Sequence, residues 1–294
     1  MFSIIKKESR KMNNILEING LTKAFKDFKL NDISFNVERG CIMGFVGQNG
    51  SGKTTTIKLI LNAINKDRGT VNIFGRDNLE HEVYVKAKIG YIPDQDFFMP
   101  TMTLKHYAKA LKLFYDTWDD DLMKSYADRW SIPLDKKLNE LSKGTKTKAM
   151  LALAFAHSPE LLILDEPTAG LDPVARIEVL DLLRDYVADG QRSVLFSSHI
   201  TSDLDKIADY ITIINNGTIL ESLSIDKIEE KYVLISGALS ELSGIESEFV
   251  GIRKGTTRFE GLILRERAHK LAFRFEQQVP NIENMLTFSI WGNK

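Results

Sequence analysis

A glycine-bounded loop separates the apolar run Cys41 to Val46 from a segment of helical periodicity: Gly47, Gly52, Lys53 and Thr54 satisfy G-x-x-x-x-G-K-[ST]. That pattern requires a strand, a tight loop and a helix in immediate succession. Both flanks are present. CIMGFV is short and apolar enough for a buried strand, and Ile57, Ile60, Leu61 and Ile64 recur at helical spacing. In such a loop the backbone N–H groups around Asn49, Gly50, Ser51, Gly52 and Thr55 converge on an anion at the positive end of the new helix. Lys53 then reaches β- and γ-phosphates, and the Thr54 hydroxyl can hold Mg²⁺. Asn65, Lys66 and Asp67 have the wrong spacing for a guanine-reading Asn-Lys-x-Asp. Guanine specificity is unsupported.

The run LLILDEPTAGLD sets Asp165 at the C-terminal end of a second buried strand, with Glu166 beside it. Ligands bind at that end of a parallel sheet. Asp165 there fits a Mg²⁺ holder, and Glu166 fits the group that polarises the attacking water. Taken as a pair alone, the two acids also fit capping of the following helix.

Composition narrows the function classes. Lys and Arg number 39 against 40 Asp and Glu, a net charge of −1, so no basic excess marks a dedicated nucleic-acid binder. The single cysteine, Cys41, allows neither an intramolecular disulfide nor a Cys-pair zinc site, and a reducing, cytoplasmic location follows. The longest apolar runs, Ala149 to His157 and Leu161 to Leu164, fall short of the ~20 residues that span a bilayer. Residues 1–12 read as a tail without a secretory core, and Met12, just ahead of the strand-like NNILEING, is an equal candidate for the natural start.

The fold class expected is α/β. Strands are predicted at Ile15 to Ile18, Asn31 to Val37, Cys41 to Val46, Gly69 to Phe74, Ala87 to Ile92, Leu161 to Leu164, Ser193 to Ser197 and Ile211 to Ile214. A helical insert spans about 97–160, rich in Leu, Ala, Lys and Asp. The main domain covers 13–223. Residues 224–294 read as a small α+β appendage with strands near Tyr232 to Ser236, Phe259 to Leu264 and Leu271 to Phe275 and a final helical turn at Ile282 to Ile290.

Two further elements complete an ordered set of motifs: Leu141-Ser142-Lys143-Gly144-Thr145 ahead of Asp165, and Ser198-His199 after SVLFS. With the phosphate loop and DEPTAGLDP, they resemble the ATP-binding subunit of an ATP-binding-cassette (ABC) transporter over about Asn13 to Ser222. The resemblance implies a P-loop NTPase of ABC type, with a RecA-like mixed sheet, an antiparallel β subdomain and a helical insert. It implies two such subunits, identical or different, sandwiching two ATP and driving separate transmembrane permease subunits from the inner membrane face, with no nucleic acid. Ser142 and Gly144 would cap the γ-phosphate held by the opposite subunit. His199 would sense that phosphate and hold the catalytic water with Glu166, Asp172 would link the two sites, and Phe25 would stack on adenine.

Two residues of the signature depart from Leu-Ser-Gly-Gly-Gln, with Lys143 and Thr145 in its third and fifth places. In YIPDQD the place directly after Pro, where the family has Gln or Glu, holds Asp94, with Gln95 next. Register favours Asp94 as the residue that reaches Mg²⁺ and the attacking water; chemistry leaves Gln95 open. Phe97, Phe98, Tyr107, Phe114, Tyr115 and Trp118 would suit a groove for permease helices, about half of them serving instead as the insert's own core. These features look most like the exporter-type branch that includes peptide-antibiotic resistance and peptide secretion. Two other readings stand: a soluble ABC ATPase outside transport, which lacks its usual coiled coil or second cassette here, and a low-turnover nucleotide-binding regulatory module.

Overall fold

The computed structural model describes residues 14–95, 98–268 and 275–292. The chain opens with the antiparallel pair β1 (Asn14–Ala24) and β2 (Lys29–Glu38), then enters β3 (Ile42–Val46) and α1 (Lys53–Ile60). It continues through β4 (Arg68–Ile73), β5 (Arg76–Asp77), α2 (Glu82–Lys86) and β6 (Ile89–Ile92). Helices α3 (Leu104–Leu111), α4 (Asp120–Arg129) and α5 (Lys143–Phe155) precede β7 (Leu161–Asp165), α6 (Pro173–Val187), β8 (Ser193–Ser198), α7 (Thr201–Ile207), β9 (Tyr210–Asn215) and β10 (Thr218–Ser224). The remainder forms α8 (Ile225–Lys231), β11 (Tyr232–Ala238), β12 (Phe249–Lys254), β13 (Arg258–Leu264), α9 (Arg265–Ala268), β14 (Glu276–Gln278) and α10 (Ile282–Gly292).

Among the described residues the strands form three sheets: β2-β1-β4-β5, all antiparallel; β10-β9-β3-β8-β7-β6, parallel except for the β10 edge; and β12-β13-β11-β14, antiparallel. Every residue of β3, β7 and β8 is buried. That is why IMGFV and LLIL are continuous apolar runs rather than alternating ones, with the buried serines of SVLFSS at the two ends of its apolar centre. Their register fixes where the chemistry falls: Val46 lies opposite Ser198 and Asp165 opposite Ser197. The three strands therefore end level, and Gly47, Glu166 and His199 leave the sheet along one edge.

The insert is helical because its segments are capped and amphipathic. Thr103 caps α3 through the His106 N–H, Asp119 caps α4 through the Leu122 N–H, and Ser142 caps α5 through the Thr145 N–H. Helix α5 is buried from Ala149 to Phe155, so it belongs as much to the central core as to the insert.

The structure corrects several sequence expectations. The strand expected from Ala87 begins only at Ile89, because residues 82–86 form α2 with a final turn onto Ala87. Strands β10, β12 and β14 and helices α8 and α9 were not expected. The predicted strand at 271–275 and Phe97 fall almost wholly outside the described residues. The final helical turn is an eleven-residue helix, α10.

The last sheet is two-faced. Val233, Ile235, Phe259 and Ile263 form a small cluster of their own. Tyr232, Leu234 and Leu262 instead join the central cluster, together with Ile282, Met285 and Phe288 of α10, Leu204 and Ile207 of α7 and Ile211 of β9. Helix α10 lies so close to β12 that a Cβ at Gly251 would stand 2.2 Å from the Phe288 carbonyl oxygen. Its first N–H, that of Ile282, donates to Asp205 Oδ1 of α7 at 3.0 Å.

Candidate nucleotide site

The phosphate loop is shaped by close packing as well as by glycine dihedrals. A Cβ on Gly47 would lie 2.4 Å from the Ile214 carbonyl oxygen and 2.5 Å from Ser51 Oγ, so no side chain fits there. Gly52, at φ +115°, is the N-cap of α1. That left-handed conformation turns the loop into the helix. A cavity of about 550 Å³ opens above the loop, lined by Asp27, Phe28, Asn49, Gly50, Gly52, Lys53, Thr54, Thr55, Asp94 and Glu166. The volume suits a small-molecule ligand.

Lys53 is buried, and its Nζ donates to the Gly47 and Gln48 carbonyls at 2.8 and 3.3 Å. The same Nζ stands 3.2 Å from Glu166 Oε1. The other carboxylate oxygen, Oε2, meets His199 Nδ1 at 2.8 Å and accepts the His199 backbone N–H at 3.2 Å. Glu166 is only 10% exposed and sits at φ +53°, a left-handed conformation that a residue with a Cβ seldom adopts. Its own N–H donates to the Ser197 carbonyl at 3.0 Å, which holds the turn in place. Strain of this kind concentrates at functional positions.

Asp165 is 1% exposed; Oδ1 accepts from Ser197 Oγ at 2.5 Å, while Oδ2 is buried without a hydrogen-bond partner among the described residues. Neither acid caps a helix. That job falls to Asp172, whose Oδ1 accepts the Val174 and Ala175 N–H groups at 3.0 Å. The Ala175 N–H holds the Asp172 carboxyl below the usual carboxylate range.

The structure thus gathers Lys53, Thr54, Asp94, Asp165, Glu166 and His199 around the ends of β3, β7 and β8. Asp94 lines the cavity and Gln95 does not. Ser142, Gly144 and Asp172 are also absent from that lining. Ser142 Oγ contacts Thr145 Oγ1 at 2.8 Å, so the fifth signature residue serves its own helix cap. Lys143 bends back, its Nζ 3.0 Å from where a Cβ on Gly170 would stand. Phe25 is half exposed and also outside the lining, with its ring 6.3 Å from that of Phe28.

Two site residues escape sequence reasoning. Phe28 lies against the loop, its Cζ 3.0 Å from a Cβ placed on Gly52. Ser197 orients Asp165 from the neighbouring strand. For Phe28 the only signal was its place beside Phe25; for Ser197 it was the serine ending an apolar strand, opposite Asp165 in register.

A second concavity, about 390 Å³, is apolar and lined by Leu61, Ala63, Lys86, Ile89, Tyr91, Leu111, Tyr115, Met150, Leu153, Ala154 and His157. Tyr115 stacks on His157 with ring centroids 4.0 Å apart, and burial pushes the imidazole below its ordinary value. Leu113 and Phe114, between the lining residues Leu111 and Tyr115, are 83% and 78% exposed. Of the insert aromatics, Phe98 belongs to the half that serves the core, where it is buried. Tyr107 stands edge-on to it, and Trp118 donates to Asp120 at 2.7 Å.

No helix among the described residues is long and apolar enough to cross a membrane. The family described as ABC transporter matches residues 30–169. The chain is 36% identical over 225 residues to the ABC transporter ATP-binding protein YtrB of Bacillus subtilis, covering 76% of this chain and 77% of that protein. It is 32% identical to the bacitracin transport ATP-binding protein BcrA of Bacillus licheniformis, over 75% and 73% of the two chains. A solved ATP-binding subunit of an ABC transporter superposes with a TM-score of 0.68 at 27% identity, covering 74% of this chain and 92% of that one. The ADP conformation of the cassette MJ1267 shares the fold, with a TM-score of 0.60 at 22% identity over 73% and 92% of the chains. The chain belongs to the ATP-binding proteins of ABC transporters, the ATP-hydrolysing subunits that drive transport.

Proposed function

We propose that this chain is the motor of an exporter, closing as a dimer around two ATP and acting on separate permease subunits at the inner face of the membrane. The observation that carries it is the Lys53–Glu166–His199 cluster at the mouth of the phosphate loop. In this reading the loop from Gly47 to Thr55 cradles the phosphates, and Lys53 turns from Glu166 to the β- and γ-phosphates. Glu166 then draws the proton of the attacking water, oriented by His199. Asp94 reaches the same water from the cavity wall. Phe25 or the nearer Phe28 supplies the face on which adenine stacks.

The donor set fits Mg²⁺, a hard cation that takes oxygen ligands. The unpartnered Asp165 Oδ2, the Thr54 hydroxyl and the Asp94 carboxyl would hold it. Bound there, it would offset the charge of the β- and γ-phosphates. Ser142 and Gly144, at the N-terminus of α5, are assigned to the γ-phosphate of the opposite subunit, and Asp172 to the link between the two sites.

The apolar groove, with Leu113 and Phe114 on its rim, is the docking surface assigned to a permease helix. Tyr91 connects it to the chemistry. The residue lines the groove, and its phenol is pushed up to about 12, by burial first and then by Asp165 and Asp94. Export of peptides or antimicrobial compounds is inferred from the bacitracin transport relatives. In the same reading residues 13–223 form the ATPase unit and residues 224–294 an accessory unit.

Light scattering on Glu166→Gln with and without ATP and Mg²⁺ tests the motor. A nucleotide-dependent doubling of mass is expected, and a chain that binds ATP yet stays monomeric even beside its permease would refute the closed-dimer mechanism. Co-expression with the permease in a bacitracin-sensitive strain tests the cargo. Unchanged sensitivity to bacitracin and related peptides would remove that cargo class.

A further inference from the structure

Helix α6 starts directly after Asp172, and α7 starts two residues after His199. In the first turn of each stands a charged residue, Arg176 on α6 and Asp203 on α7, each four positions beyond Asp172 and His199 respectively. Asp203 is 1% exposed, and neither of its carboxylate oxygens has a hydrogen-bond partner among the described residues. Its cationic neighbour is Arg176, with Nε 3.7 Å from Asp203 Oδ2; that Nε is likewise buried without a hydrogen bond.

Such a pair is a poor source of stability, because the cost of burying both charges offsets their attraction. Its physical effect is to fix register: sliding or rotating α7 against α6 would strand a buried carboxylate far from its cation. The two loops tied in this way are those of Asp172 and His199.

We propose that Arg176 and Asp203 are positioning residues for hydrolysis. Their ion pair keeps His199 on Glu166 and makes the His199 loop move with the Asp172 loop when a second subunit engages. The inference rests on the roles given above to His199, Glu166 and Asp172.

The test uses the full chain and three readouts: kcat for ATP hydrolysis, Kd for ATP and the thermal midpoint. Asp203→Asn should lower kcat at least tenfold while Kd changes less than twofold. Arg176→Gln should do the same, and the two together should be no worse than either alone. Because a single variant leaves one partner unmatched, the paired apolar replacement Arg176→Met with Asp203→Leu separates function from folding. It should keep or raise the thermal midpoint and still lose at least tenfold in kcat. Wild-type kcat in that double variant overturns the proposal. So does a loss of kcat in Asp203→Asn matched by an equal loss of ATP affinity and of folding. Glu166→Gln and His199→Ala serve as controls: if they leave hydrolysis intact, the site reading fails; if they abolish it while the Arg176 and Asp203 variants do not, only this inference fails.

Discussion

Lys53 Nζ and Glu166 Oε1 stand 3.2 Å apart, so the cation expected to hold phosphate and the base expected to hold water neutralise each other. Both side chains are nearly buried, at 6% and 10% exposure, where an unpaired charge is expensive. Nucleotide binding has to exchange this contact for one between Lys53 and phosphate. Glu166→Gln removes the competing anion. Turnover should fall by about 100-fold or more, the range for loss of a general base, while ATP binding becomes equal or tighter by calorimetric titration. Unchanged turnover would exclude Glu166 as the base.

Gly47→Ala should cripple folding and binding together. The added methyl meets the Ile214 carbonyl oxygen at 2.4 Å, an atom of the β9 ladder that cannot step aside. Overpacking of this kind costs on the order of 1–3 kcal/mol. Chemical denaturation read beside ATP affinity checks both effects, and a variant with wild-type stability would show the loop to be looser than its packing indicates.

Gly144→Ala should behave in the opposite way. A Cβ there reaches only Leu171 and Ala175 at 3.7 and 3.8 Å, ordinary contact distances. In a helix Ala is favoured over Gly by roughly 0.5–1 kcal/mol, so the thermal midpoint should hold or rise. If Gly144 approaches a phosphate on a second subunit, hydrolysis and ATP-driven dimerisation should still drop. Full activity in a stabilised Gly144→Ala would remove this glycine from the composite site.

Thr145→Gln tests the fifth signature position. The Thr145 hydroxyl contacts Ser142 Oγ at 2.8 Å. Replacing it removes that hydroxyl contact, leaves the backbone N–H cap on Ser142 Oγ in place and supplies an amide, so the ATPase rate should stay equal or rise. A clear fall would mean that the Thr145–Ser142 contact itself presents the serine.

Asp205 gives a pH dependence with a definite sign. Burial raises its carboxyl above the ordinary 3.8, with Glu283 adding to the shift and the Ile282 N–H opposing it. A raised carboxyl favours the protonated fold. Its contribution is therefore fullest below the ordinary value and is lost as pH rises through the raised one. Asp205→Asn keeps an oxygen acceptor for Ile282 and carries no charge. Its thermal midpoint should equal or exceed that of the parent at pH 7, with the gap closing in acid; a lower midpoint at pH 7 would contradict this account.

The most readable parts of the fold were those where burial on both faces forces an apolar run. CIMGFV and LLILD declared themselves as strands for that reason, and Lys53, Asp165 and Glu166 followed from where those runs end. The mixed segments FVGIRK and TILESLS, neither cleanly alternating nor continuously apolar, became β12 and β10 as halves of hairpins with the neighbouring β13 and β9; for β10 the signal was the Asn216-Gly217 turn, both residues at positive φ, rather than the strand's own pattern. Phe25 and Phe28 are equivalent as letters, and only the path of the β1–β2 turn decides which ring faces the loop. Arg176 and Asp203 look like ordinary surface charges until the packing of α6 on α7 buries one of them.

The apolar cluster that Tyr232, Leu234, Leu262, Ile282, Met285 and Phe288 share with Leu204, Ile207 and Ile211 bears on how this protein can be dissected. A chain ended at residue 223 would not be a minimal cassette. It would present a bare greasy face to water, the kind of contiguous patch that drives aggregation. It would also take the Ile282 N–H away from Asp205 Oδ1. One face of the accessory unit is the outer wall of the main core, so the solubility of the motor travels with that face and with α10, while the opposite face keeps a cluster of its own.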